Sequence, residues 1–246
     1  EDQKFVENYA EQHAIPLFAT QFDTTAFAKD YKLSTQVAAR DLRYNWFYEL
    51  IEEEQFDYVL TAHHADDNIE TFLINLGRGT GLDGLVGIPT QNDKIIRPLL
   101  LFSRFEIADY AAETQLKWRE DSSNASNKYL RNKIRHDVVP LLKELNANFA
   151  TTFQNTQKYL QEAQAMVEDA AIIVYQQVAE QKDDTIHFDL VQLRRLPNYK
   201  SYLYHWLKEF GFIAWNDIYD LVESQSGKQV LSAAFRLIKD RDSLLL

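Results

Sequence analysis

Residues 58–71, Tyr58-Val59-Leu60-Thr61-Ala62-His63-His64-Ala65-Asp66-Asp67-Asn68-Ile69-Glu70-Thr71, decide the fold. The apolar run 58–62 reads as a short buried strand, and the spacing after it predicts a helix over 66–76. Upstream, Phe5, Val6, Tyr9 and Ala10 have helical spacing within 2–14, Ile15-Pro16 stops that helix, and the alternating run 17–22 reads as a strand. Ser34 or Thr35 caps a second helix, whose apolar residues Leu42, Trp46, Phe47, Leu50 and Ile51 lead to the acidic run Glu52-Glu53-Glu54. Downstream come a glycine-rich loop (77–87), a strand over 94–100, a helix over 103–115 and a polar stretch over 119–128. This alternation predicts an α/β fold, a Rossmann-like parallel sheet with helices on both faces. In such sheets ligands sit beyond the carboxyl ends of the strands. From Asn132 the pattern is almost wholly helical, and the run 148–181 has neither Gly nor Pro. The tail adds helices (199–210, 215–225) and short strands (185–189, 229–238, 243–246). We therefore expect two domains, 1–145 and a mainly helical 146–246.

Composition narrows the function. The 246 residues carry 26 Lys+Arg against 37 Asp+Glu, a net charge of −11, and 46% are hydrophobic, which excludes a disordered or collagen-like chain. The absence of cysteine excludes disulfides, Cys-ligated zinc, iron–sulfur clusters and a thiol nucleophile, and points to a reducing, cytoplasmic setting. No uncharged run approaches the roughly 18 residues of a membrane span. The only methionine is Met166, so Glu1 is not an initiator. A removed signal peptide or a first element lying upstream would each account for that.

Four clusters carry chemistry. His63, His64, Asp66 and Asp67 stand where the buried strand gives way to a helix. Helix capping and the helix dipole account for each singly. Together they suit Mg²⁺ binding through carboxylate oxygens, or removal of a proton from an attacking amine. The loop 77–87 holds five of the seven glycines, with Arg78, Gly79, Thr80 and Gly81 at its start. Successive amides there can cradle an anion, although the spacing matches neither the dinucleotide fingerprint nor Walker A. Glu120-Asp121-Ser122-Ser123-Asn124 leads to a basic helix with Lys128, Arg131, Asn132, Lys133 and Arg135, in which Arg131 and Arg135 share a face. Arg40 and Arg43 lie one turn apart, and an intrahelical ion pair is expected for at least one of them.

In this order the clusters closely resemble the tRNA(Ile)-lysidine synthetase family of N-type PP-loop ATPases, of the adenine nucleotide α-hydrolase-like fold. The most specific stretches are HHADDNIET, RGTGLDGLVG, IIRPLL and EDSSN followed by YLRNKIRH. The resemblance implies a ligase that joins L-lysine to the wobble cytidine of the CAU anticodon of tRNA(Ile). ATP adenylates the 2-oxo group, and the lysine ε-amine then displaces AMP. It implies ATP and Mg²⁺, with 1–145 as the catalytic domain and 146–246 as the tRNA-binding domain. Carried over by position, Asp66 or Asp67 is the Mg²⁺ ligand or the base, and His63 and His64 lie beside the nucleotide. Arg43, Arg78 and Arg135 are catalytic. Gly79, Thr80, Gly81 and Arg131 contact ATP, while Glu120, Asp121, Asn124 and Asn132 contact lysine or tRNA. The carboxylate pair and the arginine-bearing glycine loop are expected to close around one nucleotide.

Two departures stand out. Asn68 occupies a position where the family leads us to expect Gln, and no SGGxDS stretch occurs in the chain. The resemblance is thus to a member read from just after its first strand–loop–helix unit and stopping before a carboxyl-terminal acceptor-binding domain, so full activity is expected of a longer product. Other readings are tRNA thiolation, a His/Asp metallohydrolase and a non-catalytic RNA-binding module; homodimerisation is left open. The acidic net charge leaves local basic patches to meet RNA phosphates. Tyr199, Tyr202, Trp206 and Trp215 are candidates for base stacking, although their helical spacing more often marks a core.

Overall fold

The computed structural model describes residues 2–120 and 130–246. They form two units, Glu1–Lys158 and Tyr159–Leu246, and the chain passes from one to the other within a single helix.

In the first unit, α1 (Asp2–Gln12), α2 (Thr24–Asp30) and α3 (Thr35–Glu54) precede β1 (Val59–Leu60) and α4 (Ala65–Arg78). Then come α5 (Leu82–Leu85), β2 (Gln91–Asn92), β3 (Ile95–Ile96) and α6 (Arg104–Glu113). Side-chain caps set the helix starts as the sequence predicts. Ser34 Oγ accepts the Val37 N–H at 3.3 Å. Ser103 and Glu106 form a reciprocal capping box at α6. The sheet order is β1-β3-β2, with Val59 and Leu60 of β1 parallel to Ile95 and Ile96, and β2 antiparallel to β3. The parallel pair confirms the expected α/β class. Below α4 lies a core of Ile69, Ile134, Val139 and Phe153, against which Phe72, Leu73, Ile74 and Phe149 pack.

Three local expectations fail for identifiable reasons. Residues 17–22 form no strand, because no described strand pairs with their backbone and alternation without a ladder does not make a sheet. Phe18 instead meets Phe56 edge-on at 6.0 Å, and Phe22 meets Trp46 at 6.3 Å. The strand expected over 94–100 stops at Ile96, since Pro98 has no N–H for a ladder and starts a 3₁₀ turn, Pro98–Leu101. The glycine-rich loop contains a helical turn, α5, as well as loop.

From Leu130, α7 (Leu130–Lys133), a π-helical turn (Ile134–Val138) and α8 (Val139–Leu145) run as one continuous helix. Then α9 (Phe149–Val178) leads into the second unit. That unit holds β4 (Ala179–Lys182), β5 (Thr185–Asp189), α10 (Leu190–Arg194), α11 (Tyr199–Leu207) and α12 (Trp215–Leu221), then β6 (Gln229–Leu231), β7 (Arg236–Asp240) and β8 (Ser243–Leu245). The strands make one antiparallel sheet in the order β4-β5-β8-β7-β6. The helical region thus carries a small sheet. Its first hairpin is hidden in the sequence because Asp183, not glycine, takes the left-handed turn position at φ 51°. The segment 229–238 divides into β6 and β7 at the turn where the Ser232 N–H donates to the Phe235 carbonyl.

Phe188, Leu190, Leu203, Leu207, Ile218, Leu237 and Leu244 fill the core of this unit. Trp206 lies against it, stacked on Phe188 and Tyr202, with its indole N–H on the Ala171 carbonyl. Tyr199 and Trp215 also pack on that core, so these aromatic candidates for base stacking serve packing.

Candidate functional site

The N-terminus of α4 is fixed by its own sequence. His64 takes extended backbone and its Nδ1 accepts the Asp67 N–H at 3.4 Å, while Asp67 Oδ2 accepts the His64 N–H at 3.0 Å. This is a capping box in which histidine replaces the usual hydroxyl residue. His64 therefore has a structural duty at the helix end.

Adjacent residues on a helix point about 100° apart, so the two aspartates have different surroundings. Asp66 Oδ2 accepts the backbone N–H of Arg104 at 2.8 Å, and its Oδ1 pairs with Lys143 Nζ at 2.5 Å. Burial alone would raise the pKa of Asp66, but the Lys143 ammonium and the Arg104 N–H outweigh it and hold the carboxyl below the ordinary range. Asp67 lies 3.3 Å from Arg135 Nη2 through Oδ1 and faces a groove.

The groove, about 400 Å³, lies past the carboxyl end of β1. It is lined by Arg40, Arg43, Tyr44 and Phe47 of α3, by 60–63, by Asp67 and by Arg131. This is the ligand position expected of a parallel sheet. Arg40 stands 4.5 Å over the Tyr44 ring and bonds its hydroxyl at 3.2 Å. Arg43 makes no hydrogen bond or ion pair among the described residues. The expected intrahelical ion pair is therefore absent for both, because neighbouring Asp41 lies on another face of α3. His63 bonds Thr61 Oγ1 through Nδ1 at 2.9 Å. Burial lowers its pKa; Asp67 opposes that shift, and Arg97, Arg40 and Arg131 reinforce it, so the ring is neutral near pH 7. Three arginines, one carboxylate, one neutral imidazole and two aromatic rings suit a nucleotide: cations for phosphate, rings for a base.

Glu70, one turn beyond Asp67, is 1% exposed and lies between two arginines. Arg135 Nε reaches its Oε1 at 2.6 Å and Nη2 its Oε2 at 3.0 Å, while Arg131 Nε is 3.0 Å from Oε2. Hydrogen bonding to Glu70 raises the Arg135 pKa against the opposing effect of burial. Arg131 also bonds Thr71 Oγ1 at 2.7 Å. Glu70, Thr71, Lys143 and the Arg104 backbone are site residues to which the sequence reading assigned no role.

Other expected residues lie elsewhere. Arg78 ends α4, so the helical rise of about 1.5 Å per residue sets it about 18 Å from Asp66. Gly79, Thr80 and Gly81 are exposed beyond it. The carboxylates and the glycine loop thus stand at opposite ends of α4 and do not close around one nucleotide. The far end of that loop is pinned by Asn68, whose Oδ1 accepts the Ile88 N–H at 2.7 Å and whose amide donates to Gln157 at 2.8 Å. Gly87 beside it has φ +87°, and a Cβ would fall 2.4 Å from Asn68 Oδ1. Glu120 pairs with Arg104 at 3.0 Å. Asn132 is buried within α7. Asp121 and Asn124 lie outside the described residues.

Comparison with known proteins identifies the family. The model of the PP-loop domain matches residues 1–142, and that of the TilS substrate binding domain matches 181–246. A tRNA(Ile)-lysidine synthase of Bacteroides thetaiotaomicron is 37% identical over all of this chain and 57% of its own length. That of Parabacteroides distasonis is 38% identical over 99% of this chain and 55% of its own. The Bacillus subtilis enzyme of that name is 35% identical over 80% and 43%. The chain spans little more than half the length of the first two. With the groove at the strand end and a match over most of the first unit, the chain belongs to the PP-loop family.

Proposed function

We propose that this protein is a tRNA(Ile)-lysidine synthase, forming lysidine at the wobble cytidine of the CAU anticodon from ATP and L-lysine. The observation that carries the reading is the groove in which Arg40, Arg43 and Arg131 face Asp67. The cytosine 2-oxo oxygen attacks the α-phosphorus of ATP and releases pyrophosphate. The lysine ε-amine then attacks C2, gives up a proton, and AMP leaves. Arg40, Arg43 and Arg131 neutralise the phosphates. Asp67 is the carboxylate placed to take the proton, and neutral His63 offers a hydrogen bond to the nucleotide.

Mg²⁺ fits this donor set only in company with ATP. No group of three His, Asp or Glu residues able to hold a metal exists among the described residues. Mg²⁺ is commonly held by one or two carboxylates plus substrate phosphates. Asp67 is the carboxylate the groove offers, since it lines the groove while Asp66 does not. The ion would neutralise charge developing on the phosphates.

The second unit supplies the tRNA-binding surface, a role supported by the match to a substrate binding domain. A cytoplasmic location accords with a tRNA substrate, and no described helix is long and apolar enough to cross a membrane. The test measures pyrophosphate release by the full gene product. Sustained release should require both L-lysine and tRNA(Ile), because without lysine each tRNA is adenylated once and turnover stops, and Asp67→Asn should lower kcat by about 100-fold, the scale of a lost proton acceptor. Sustained release indifferent to lysine and tRNA rejects the reading.

A further inference from the structure

Arg131, Arg135 and Lys143 all reach carboxylates on α4, yet their spacing is wrong for one helical face. Lys143 is twelve helical steps beyond Arg131; at about 100° per residue an unbroken α-helix would turn Lys143 about 120° away from Arg131. The π-helical turn Ile134–Val138 corrects this. In it the Val139 N–H donates to the Ile134 carbonyl, five residues back. One residue is thereby absorbed as an insertion, which leaves eleven helical steps and brings Lys143 back to within about 20° of Arg131. The observed pairs follow: Arg131 and Arg135 on Glu70, Arg135 on Asp67, Lys143 on Asp66.

The cause of the wide turn lies in the sequence. Pro140 is the second residue of α8. It has no N–H for the carbonyl of His136, and in an α-helix its ring would press on that carbonyl. Widening the turn moves the carbonyl away and removes the conflict. The turn is anchored on both sides, because Ile134 and Val139 are buried in the core of the first unit.

We infer that Pro140 is a positioning residue for this site: it enforces the π-turn that brings Lys143 into phase with Arg131 and Arg135, so that Asp66, Asp67 and Glu70 are held together. The inference rests on the ligase reading for its activity assay but carries its own structural readout. In the full gene product, Pro140→Ala removes the obstacle to an α-helical register. Deleting Val138, which is exposed, from that variant restores eleven steps without any wide turn.

We expect Pro140→Ala to lower kcat for lysidine formation at least tenfold and the double variant to recover to within threefold of the parent. The stability coupling between Asp66→Asn and Lys143→Met, from a double-mutant cycle in urea, should vanish in Pro140→Ala and return with the deletion. A proline serving only general stability would make the deletion add to the damage. Unchanged kcat and coupling in Pro140→Ala overturn the inference, as does a double variant no better than the single one. If the parent forms no lysidine, the ligase reading fails while the coupling cycle still decides the role of Pro140.

Discussion

Replacing Glu70 by Gln isolates the charge at the centre of the α4 network. The amide keeps the size of the side chain and one acceptor oxygen, but it turns an NH₂ group toward guanidinium donors. Hydrogen bonds to charged groups contribute about 1.5–3 kcal/mol each, and removing one partner of a buried ion pair costs about 3–5 kcal/mol. Arg135, with a side chain 20% exposed, retains part of its hydration and sits at the lower end of that range. Arg131, at 40%, is screened by water, and its pair adds no more than about 1 kcal/mol. The expected loss is therefore about 3 kcal/mol of local stability around α4. Amide hydrogen exchange at residues 69–73 measures it directly, because protection there reports opening of α4. A loss of about 3 kcal/mol lowers protection by roughly 100-fold, at about 1.4 kcal/mol per factor of ten. Arg131→Met should lower it less than tenfold. A Glu70→Gln protein with protection within threefold of the parent would show that the two arginines do not depend on this carboxylate, and the description of Glu70 as the pivot of the network would fail.

Two further outcomes test the neighbouring contacts. Lys143→Met should cost about 1 kcal/mol at pH 7, the Lys143 side chain being 41% exposed. Because the folded pKa of Asp66 is depressed, that contribution is present above the ordinary carboxylate value near 4 and is lost as pH falls through the folded value. Urea midpoints of parent and variant should therefore converge below about pH 4; a constant gap down to pH 3 refutes the pairing. Arg43→Ala should leave stability within about 0.5 kcal/mol, since the exposed guanidinium makes no hydrogen bond or ion pair among the described residues, yet raise KM for ATP several-fold. An unchanged KM removes Arg43 from the phosphate contacts.

The local devices of the fold are legible where one residue type has one cause. Ser34 and Ser103 cap α3 and α6 because a hydroxyl before an apolar helical run has a backbone N–H within reach. The segments missed depend on partners that a single stretch cannot show. Residues 17–22 alternate like a strand, but a ladder needs a second strand at the right distance. The β4–β5 hairpin escapes notice because Asp183 performs a turn usually signalled by glycine. Lys143 lies outside the readable motif because its phase with Arg131 exists only after one residue is absorbed by the π-turn.

The candidate site shows the same division at finer scale. The motif HHADD announces a strand end with charge, and the structure confirms that position for His63, His64, Asp66 and Asp67. Which aspartate lines the groove is invisible in the sequence, since both are carboxylates in the first turn of α4 and both suit the helix dipole. The answer lies 38 and 77 residues away, where the Arg104 N–H and Lys143 engage Asp66. Asp67, a helical step of about 100° further round, meets Arg135 and the groove. Only Asp67 lines the groove, and the proposed ligase reading therefore predicts different defects. Asp66→Asn should act first on stability, through Lys143 and α6. Asp67→Asn should act first on kcat. If Asp66→Asn proved the more damaging to catalysis at equal stability, the assignment of the groove-facing carboxylate would have to be reversed.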